Sequence, residues 1–110
     1  MSILFPNCDD YISRYGCDSI LNDDFTQLTT FYYQKFKLSI LTDCYDFIDI
    51  KLYCNDFLIS HLYEEGVDRI TLFNNNIKVF FKEIPGYFDN KFLELIVDNN
   101  LSIKSVSMRS

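Results

Sequence analysis

From Thr29 towards Ile84 the chain alternates apolar and polar residues with a period of two, and short turn-forming clusters cut that alternation into strand-length pieces. Nothing else in the sequence restricts the fold as much, because successive side chains of an extended strand point to opposite faces. Phe36, Leu38 and Ile40 alternate with Lys35, Lys37 and Ser39, so the stretch from Thr29 reads as a half-buried strand. A second strand runs from about Cys44 to Cys54. Ile48, Ile50 and Leu52 line one face of it, and Tyr45, Phe47, Asp49, Lys51 and Tyr53 the other. Thr42-Asp43 and Asn55-Asp56 bound it with side chains that bond their own backbone and tolerate turn dihedrals. Phe57–Tyr63 and Val67–Phe73 continue the pattern. Asn74-Asn75-Asn76 is a strong turn signal, after which Ile77–Ile84 is expected to pair back as a hairpin.

The two ends depart from this period. Residues 7–16 predict a short helix, with Asn7 or Asp9 as cap, Tyr11, Ile12 and Tyr15 on one face, and Gly16 as terminator. Residues 17–26 read as a turn or a second short helical piece. Pro85-Gly86 breaks the sheet pattern, and residues 88–98 switch to helical spacing, with Phe88, Phe92, Leu95 and Ile96 on one face. Asn99-Asn100 closes this helix, and Leu101–Met108 supplies a last, polar strand. Strands joined by such short turns are antiparallel neighbours, because a parallel crossover needs a dozen residues or more. The expected fold is therefore α+β: an antiparallel β-meander of about five to six strands, a short N-terminal helix, and a C-terminal helix packed on one face. At 110 residues the chain supports one core, burying roughly 65% of its unfolded surface. Eleven Phe and eight Tyr can fill it, and three Gly and two Pro leave no flexible linker, so residues 1–110 read as a single compact domain.

Charge is distributed unevenly. Residues 1–65 carry eleven carboxylates against four cations and are net −7, whereas residues 66–110 are net +1. Asp43, Asp46 and Asp49 recur at every third position. A hard-cation loop such as the EF-hand wants acids at alternate positions, a Gly turn and a terminal Glu, and this spacing does not match. These acids are interleaved with tyrosines, so Asp43, Tyr45, Asp46, Asp49, Tyr53, Asp56, Tyr63, Glu64 and Glu65 stand as the candidate partner-binding face. The carboxylates would supply a field that draws in a cationic partner, and the rings would supply anchoring area. A net charge of −6 without a basic patch argues against nucleic acid as a direct ligand.

Catalytic signals are weak by comparison. No GxSxG, P-loop, HExxH or GxGxxG motif occurs. His61, the single histidine, lies in an apolar strand beside Ser60, and as a general base it would need a nucleophile and an orienting acid brought to it in space. Cys8, Cys17, Cys44 and Cys54 contain no C-x-x-C pair, so packing thiols are expected rather than a zinc site, and no metal or cofactor is implied. The N-terminus has only a three-residue apolar run and no basic start, and no segment approaches the ~20 apolar residues of a membrane span. A cytoplasmic, non-enzymatic protein is the expectation.

In charge, size and lack of catalytic motif the chain is similar in kind to bacterial toxin-immunity proteins, a likeness that rests on no motif and transfers no residue. It implies a small acidic protein that neutralises a basic protein partner, such as the nuclease-type domain of a toxin. A phage-type antagonist, such as an anti-CRISPR or nucleic-acid mimic, would share these electrostatics. A small ligand-binding domain or enzyme centred on His61 would instead need a pocket there. A homo-oligomer would need exposed rings paired about a two-fold axis.

Overall fold

In the computed structural model, which describes residues 5–82, 89–98 and 100–109, the alternation becomes two antiparallel sheets in strict chain order. The first contains β1 (Asp18–Leu21), β2 (Gln27–Tyr33), β3 (Phe36–Thr42), β4 (Ile48–Cys54) and β5 (Phe57–Glu64). The second contains β6 (Val67–Leu72), β7 (Asn76–Phe81), β8 (Asp89–Val97) and β9 (Leu101–Arg109). One helix among the described residues, α1 (Cys8–Tyr15), precedes them. Its ends follow the expected chemistry. The Asn7 side chain accepts the Asp10 amide at 2.8 Å, the Asp10 carboxylate accepts the Asn7 amide at 2.9 Å, and Gly16 closes the helix at φ 66°.

The inner faces of both sheets share one core. Leu38, Ile40, Ile48 and Ile50 from the first sheet meet Val67, Ile77, Val79, Leu93 and Leu95 from the second, and Tyr11 of α1 joins them fully buried. Leu38, Ile40, Ile48 and Ile50 are even positions of β3 and β4, as the period of two requires. The joint between the sheets is short. Gly66 takes φ 80° there, a conformation that costs a side-chain-bearing residue but not glycine. Its amide donates to the Asp46 carboxylate at 3.1 Å, and the Val67 amide donates to the Asp46 carbonyl at 2.8 Å.

Three expectations are corrected. The fold is mainly antiparallel β rather than α+β, and among the described residues no C-terminal helix packs on the sheet. In place of a helix over residues 88–98 the chain forms β8, bonded to β7 on one side and β9 on the other. Phe92-Leu-Glu-Leu-Ile-Val is so rich in apolar residues that it satisfies a 3.6 period and a period of two at once. The neighbouring strands decide the matter: Leu93 and Leu95 reach the core, while Phe92 turns outward to meet Phe80 at 5.8 Å. Residues 18–21, expected as turn or helix, form the edge strand β1. The single strand expected from Thr29 is a hairpin, β2 and β3, turning at Gln34-Lys35 with Gln34 at φ 53°. The Asn74–Asn76 turn does link two paired strands. The expectations for Ile84, Pro85-Gly86, Phe88 and Asn99 lie outside the described residues.

Candidate functional site

In a meander every second connection returns to the same end of the sheet. The β1–β2 turn (22–26), the β3–β4 loop (43–47) and the β5–β6 link (65–66) therefore share one end of the first sheet. The register ties these ends into one row: Leu21 faces Gln27, Gln27 faces Thr42, Thr42 faces Ile48, and Ile48 faces Glu64. Asp23, Asp24, Asp43, Asp46, Glu64 and Glu65 are gathered there. So are two outward rings, Phe25 at 79% exposure and Tyr45 at 73%. The boundary between acidic and nearly neutral sequence coincides with the joint between the sheets, so the −7 segment is α1 together with the first sheet.

Hydrogen bonds shape each part of this end. The Asp43 Oδ1 accepts the amides of Tyr45, Asp46 and Phe47 at 3.1, 2.8 and 3.1 Å, which folds the β3–β4 loop around one carboxylate. Partial burial opposes ionisation of Asp43, but the three amides outweigh it and hold the carboxyl below its ordinary pKa. The Asp24 carboxylate accepts the Thr26 hydroxyl at 2.5 Å and the Thr26 amide at 3.1 Å. These bonds lower its pKa and set the turn that presents Phe25. Tyr63 stacks on Phe47 at 5.7 Å and donates its hydroxyl to Glu65 at 3.3 Å. Desolvation first, and then Glu65, Asp46 and Asp43, raise the Tyr63 pKa. Lys82 lies 5.4 Å over the Tyr45 ring and 4.0 Å from Asp46.

The nine residues singled out from the sequence divide accordingly. Asp43, Tyr45, Asp46, Tyr63 and Glu65 come together at this end. Asp49 stands one row inward on the outer face, opposite Tyr63 in the register. Glu64 is at the same end but on the side of the sheet that the buried Ile48 faces. Tyr53 and Asp56 sit at the far end of β4, about 20 Å away for a seven-residue strand. There Tyr53 lies under the Lys37 ammonium at 4.5 Å. Asp23, Asp24 and Phe25 were not expected as part of the site. The alternation of turns in a meander places them beside Asp43, but only once residues 18–21 are read as a strand.

His61 occupies the outer face of β5, with a side chain 45% exposed and Nε2 2.6 Å from the Asp49 Oδ1. A groove lies elsewhere, between α1 and β6, lined by Asp10, Ser13, Arg14, Ile70 and Thr71, and His61 does not border it. All four cysteines are free and half-buried. Cys44 and Cys8 flank the buried Gln27 amide, each at 3.7 Å, and Cys17 faces the Tyr11 carbonyl at 3.6 Å. Burial pushes the Cys17 thiol up to about 11. At the start of β5, Phe57, Leu58 and Ile59 are exposed in succession at 76%, 50% and 55%.

This two-sheet arrangement is similar to a chain of a contact-dependent growth inhibition toxin–immunity protein complex from Klebsiella pneumoniae 342. The TM-score is 0.76 at 17% sequence identity, over 98% of this chain and 100% of that one. The fold is thus one found in a toxin–immunity assembly. No protein-family model matches the sequence. The uncharacterized protein PM0492 of Pasteurella multocida strain Pm70 is 35% identical over 83 residues, which span 71% of this chain and 78% of that protein. The chain belongs to the same family as that protein.

Proposed function

We propose that this chain is an immunity protein, which neutralises a basic toxin domain by docking the acidic end of its first sheet against it. The observation that carries the reading is the convergence of three turns, with their carboxylates and exposed rings, in a fold similar to that of a chain from a toxin–immunity complex. Of the two roles in such a complex, inhibitor is the one the charge favours. A toxin acting on nucleic acid needs cationic surface for phosphates, whereas a −6 chain is suited to cover such a surface. A nuclease-type toxin in the cytoplasm is accordingly the proposed target. The carboxylates steer encounter, raising association rates by about 10–10³-fold at low salt. Phe25 and Tyr45 then bury ring area at the centre of the contact, where aromatic anchors hold most of the binding energy.

The test is co-expression with a basic, nuclease-type effector domain from the source organism or its competitors, read as rescue of growth. It is followed by binding kinetics of the purified pair across a salt series. Asp23→Lys with Glu65→Lys is expected to slow association at low salt by about tenfold and to flatten the salt dependence. Growth that stays arrested with wild-type chain present, or rates that ignore both salt and the substitutions, would refute the reading.

A further inference from the structure

Resting on that reading, we propose that the contact with the toxin continues from the acidic end onto the outer face of the first sheet, where Ile20, Leu28 and Leu41 form a second set of apolar anchors. The register sets them side by side: Ile20 of β1 faces Leu28 of β2, and Leu28 faces Leu41 of β3. Asp49 and Tyr63 continue the row across β4 and β5. With strands about 4.8 Å apart, the three aliphatic positions span roughly 10 Å and the whole row roughly 19 Å. The row lies one residue in from the strand ends that carry the acidic turns. Tyr63 joins it to that end through its stack on Phe47 and its bond to Glu65.

These aliphatic side chains depart from the pattern of the face they stand on. The buried residues of the first sheet, Thr29, Leu38, Ile40, Ile48 and Ile50 among them, point to the other side, where the second sheet and α1 pack. A sheet covered on one side normally turns polar residues to the other. One row further in it does so: Asp18, Thr30, Ser39, Lys51 and His61 follow one another across the five strands. Ile20 is instead 55% exposed. Leu28 and Leu41, both half-buried, belong neither to the core nor to the half-buried side chains packed against it. An apolar row that the core does not use is surface suited to a partner.

Charge selects the occupant. The three lysines of the first sheet, Lys35, Lys37 and Lys51, lie in the β2–β3 turn and in the rows beyond the apolar one. The carboxylates of the β1–β2 turn, the β3–β4 loop and the β5–β6 link border the apolar row from the opposite side. A basic domain drawn to those carboxylates is brought over Ile20, Leu28 and Leu41. It is kept off the far end, where the Lys37 ammonium covers Tyr53 at 4.5 Å. A second copy would bring its own net charge of −6 to the same place. The surface that fits is an apolar patch with Arg or Lys along one side, in which charge sets the speed of encounter and buried area the residence time.

The experiment uses the full chain with the effector domain that passes the growth-rescue test. Ile20→Thr with Leu41→Thr removes apolar area, leaves the charge unchanged and keeps residues suited to strands. The double variant is expected to dissociate about tenfold faster or more, with association and its salt dependence within about twofold of wild type. Asp23→Lys with Glu65→Lys acts on association instead. Tyr32→Thr, on the same face at the far end, is expected to dissociate like wild type. Hydroxyl-radical footprinting of the wild-type chain gives an independent reading: oxidation of Ile20, Leu28 and Leu41 should fall several-fold in the complex while that of Tyr32 holds. Complex formation with those three equally oxidised would overturn the proposal while sparing the immunity reading, as would wild-type kinetics in a folded double variant. A loss in Tyr32→Thr as large as in the double variant would overturn the placement beside the acidic end. Self-association of the free chain that the double substitution abolishes would assign the row to a second copy and overturn it too. Failure of the wild-type chain to bind or rescue would remove the immunity reading and this proposal together. Should the double variant not fold, the footprint on wild-type protein still decides.

Discussion

Asp43 tests whether the acidic loop is built by its own charge. One carboxylate oxygen accepts three loop amides at 2.8–3.1 Å, so Asp43→Ala frees three donors at once. Because Asp43 is half-buried, water reaches those donors, and the loss resembles that of a helix cap more than that of a buried pair. We expect about 1.5 kcal/mol, within the range for removing an Asp cap. For a domain of this size that is a fall of about 6 °C in Tm. Asp43→Asn keeps an oxygen acceptor at the same place and should cost only about 0.5 kcal/mol, which separates loop geometry from charge.

The pH dependence follows from the lowered carboxyl pKa. A group ionised more readily in the folded state contributes stability above its unfolded pKa, near 4 for Asp, and loses it as pH falls through the folded value. The gap in Tm between wild type and Asp43→Ala should stay constant from neutral pH down to about 5, then narrow below about 4. Thermal melts followed by circular dichroism across that range provide the assay. An Asp43→Ala variant that melts with wild type at neutral pH would refute the reasoning, as would a gap that persists undiminished in acid.

Gly66→Ala should cost about 1 kcal/mol, because φ 80° penalises a side chain although nothing lies within 4 Å of the added carbon; unchanged chemical denaturation would show that the joint is not strained. Tyr15→Phe removes the hydroxyl that bonds the carbonyls of Phe73 and Asn76 and ties α1 to the β6–β7 turn. A loss of about 1 kcal/mol is expected in the same assay, with faster hydrogen exchange in the helix. With its thiol pushed up to about 11, Cys17 should alkylate roughly 100-fold more slowly at pH 8.5 than an unperturbed thiol, as mass spectrometry of a timed iodoacetamide reaction would reveal.

Much of the fold was legible in local pattern. The α1 caps are stated by Asn7, Asp10 and Gly16, since they involve only residues within one turn of each other. The buried face of β4 is stated by Ile48, Ile50 and Leu52, which alternate with polar residues of clear character. β8 was not legible, because a run from Phe92 to Val97 with one polar residue has no distinct period of its own. The β2–β3 hairpin was hidden by Gln34-Lys35, a turn without Gly, Asn, Asp or Pro, in which Gln34 takes a positive φ that its type does not announce. Of the candidate site, the residues in 43–49 and 63–65 were recognisable as an acidic and aromatic group. Their separation from Tyr53 and Asp56 was not, since that depends on which turns share an end.

By itself, then, the order of residues determined that this protein is made of short antiparallel strands behind a capped helix, with its net negative charge arising from residues 1–65. Those properties reside in neighbours along the chain, where side-chain alternation and turn chemistry act. Tertiary structure alone decided that residues 89–97 extend rather than coil, and that Asp23, Asp24 and Phe25 stand beside Asp43 and Tyr45. The reason is that strand pairing joins residues distant in sequence, and an element compatible with two conformations adopts the one whose backbone and apolar faces the rest of the molecule can satisfy.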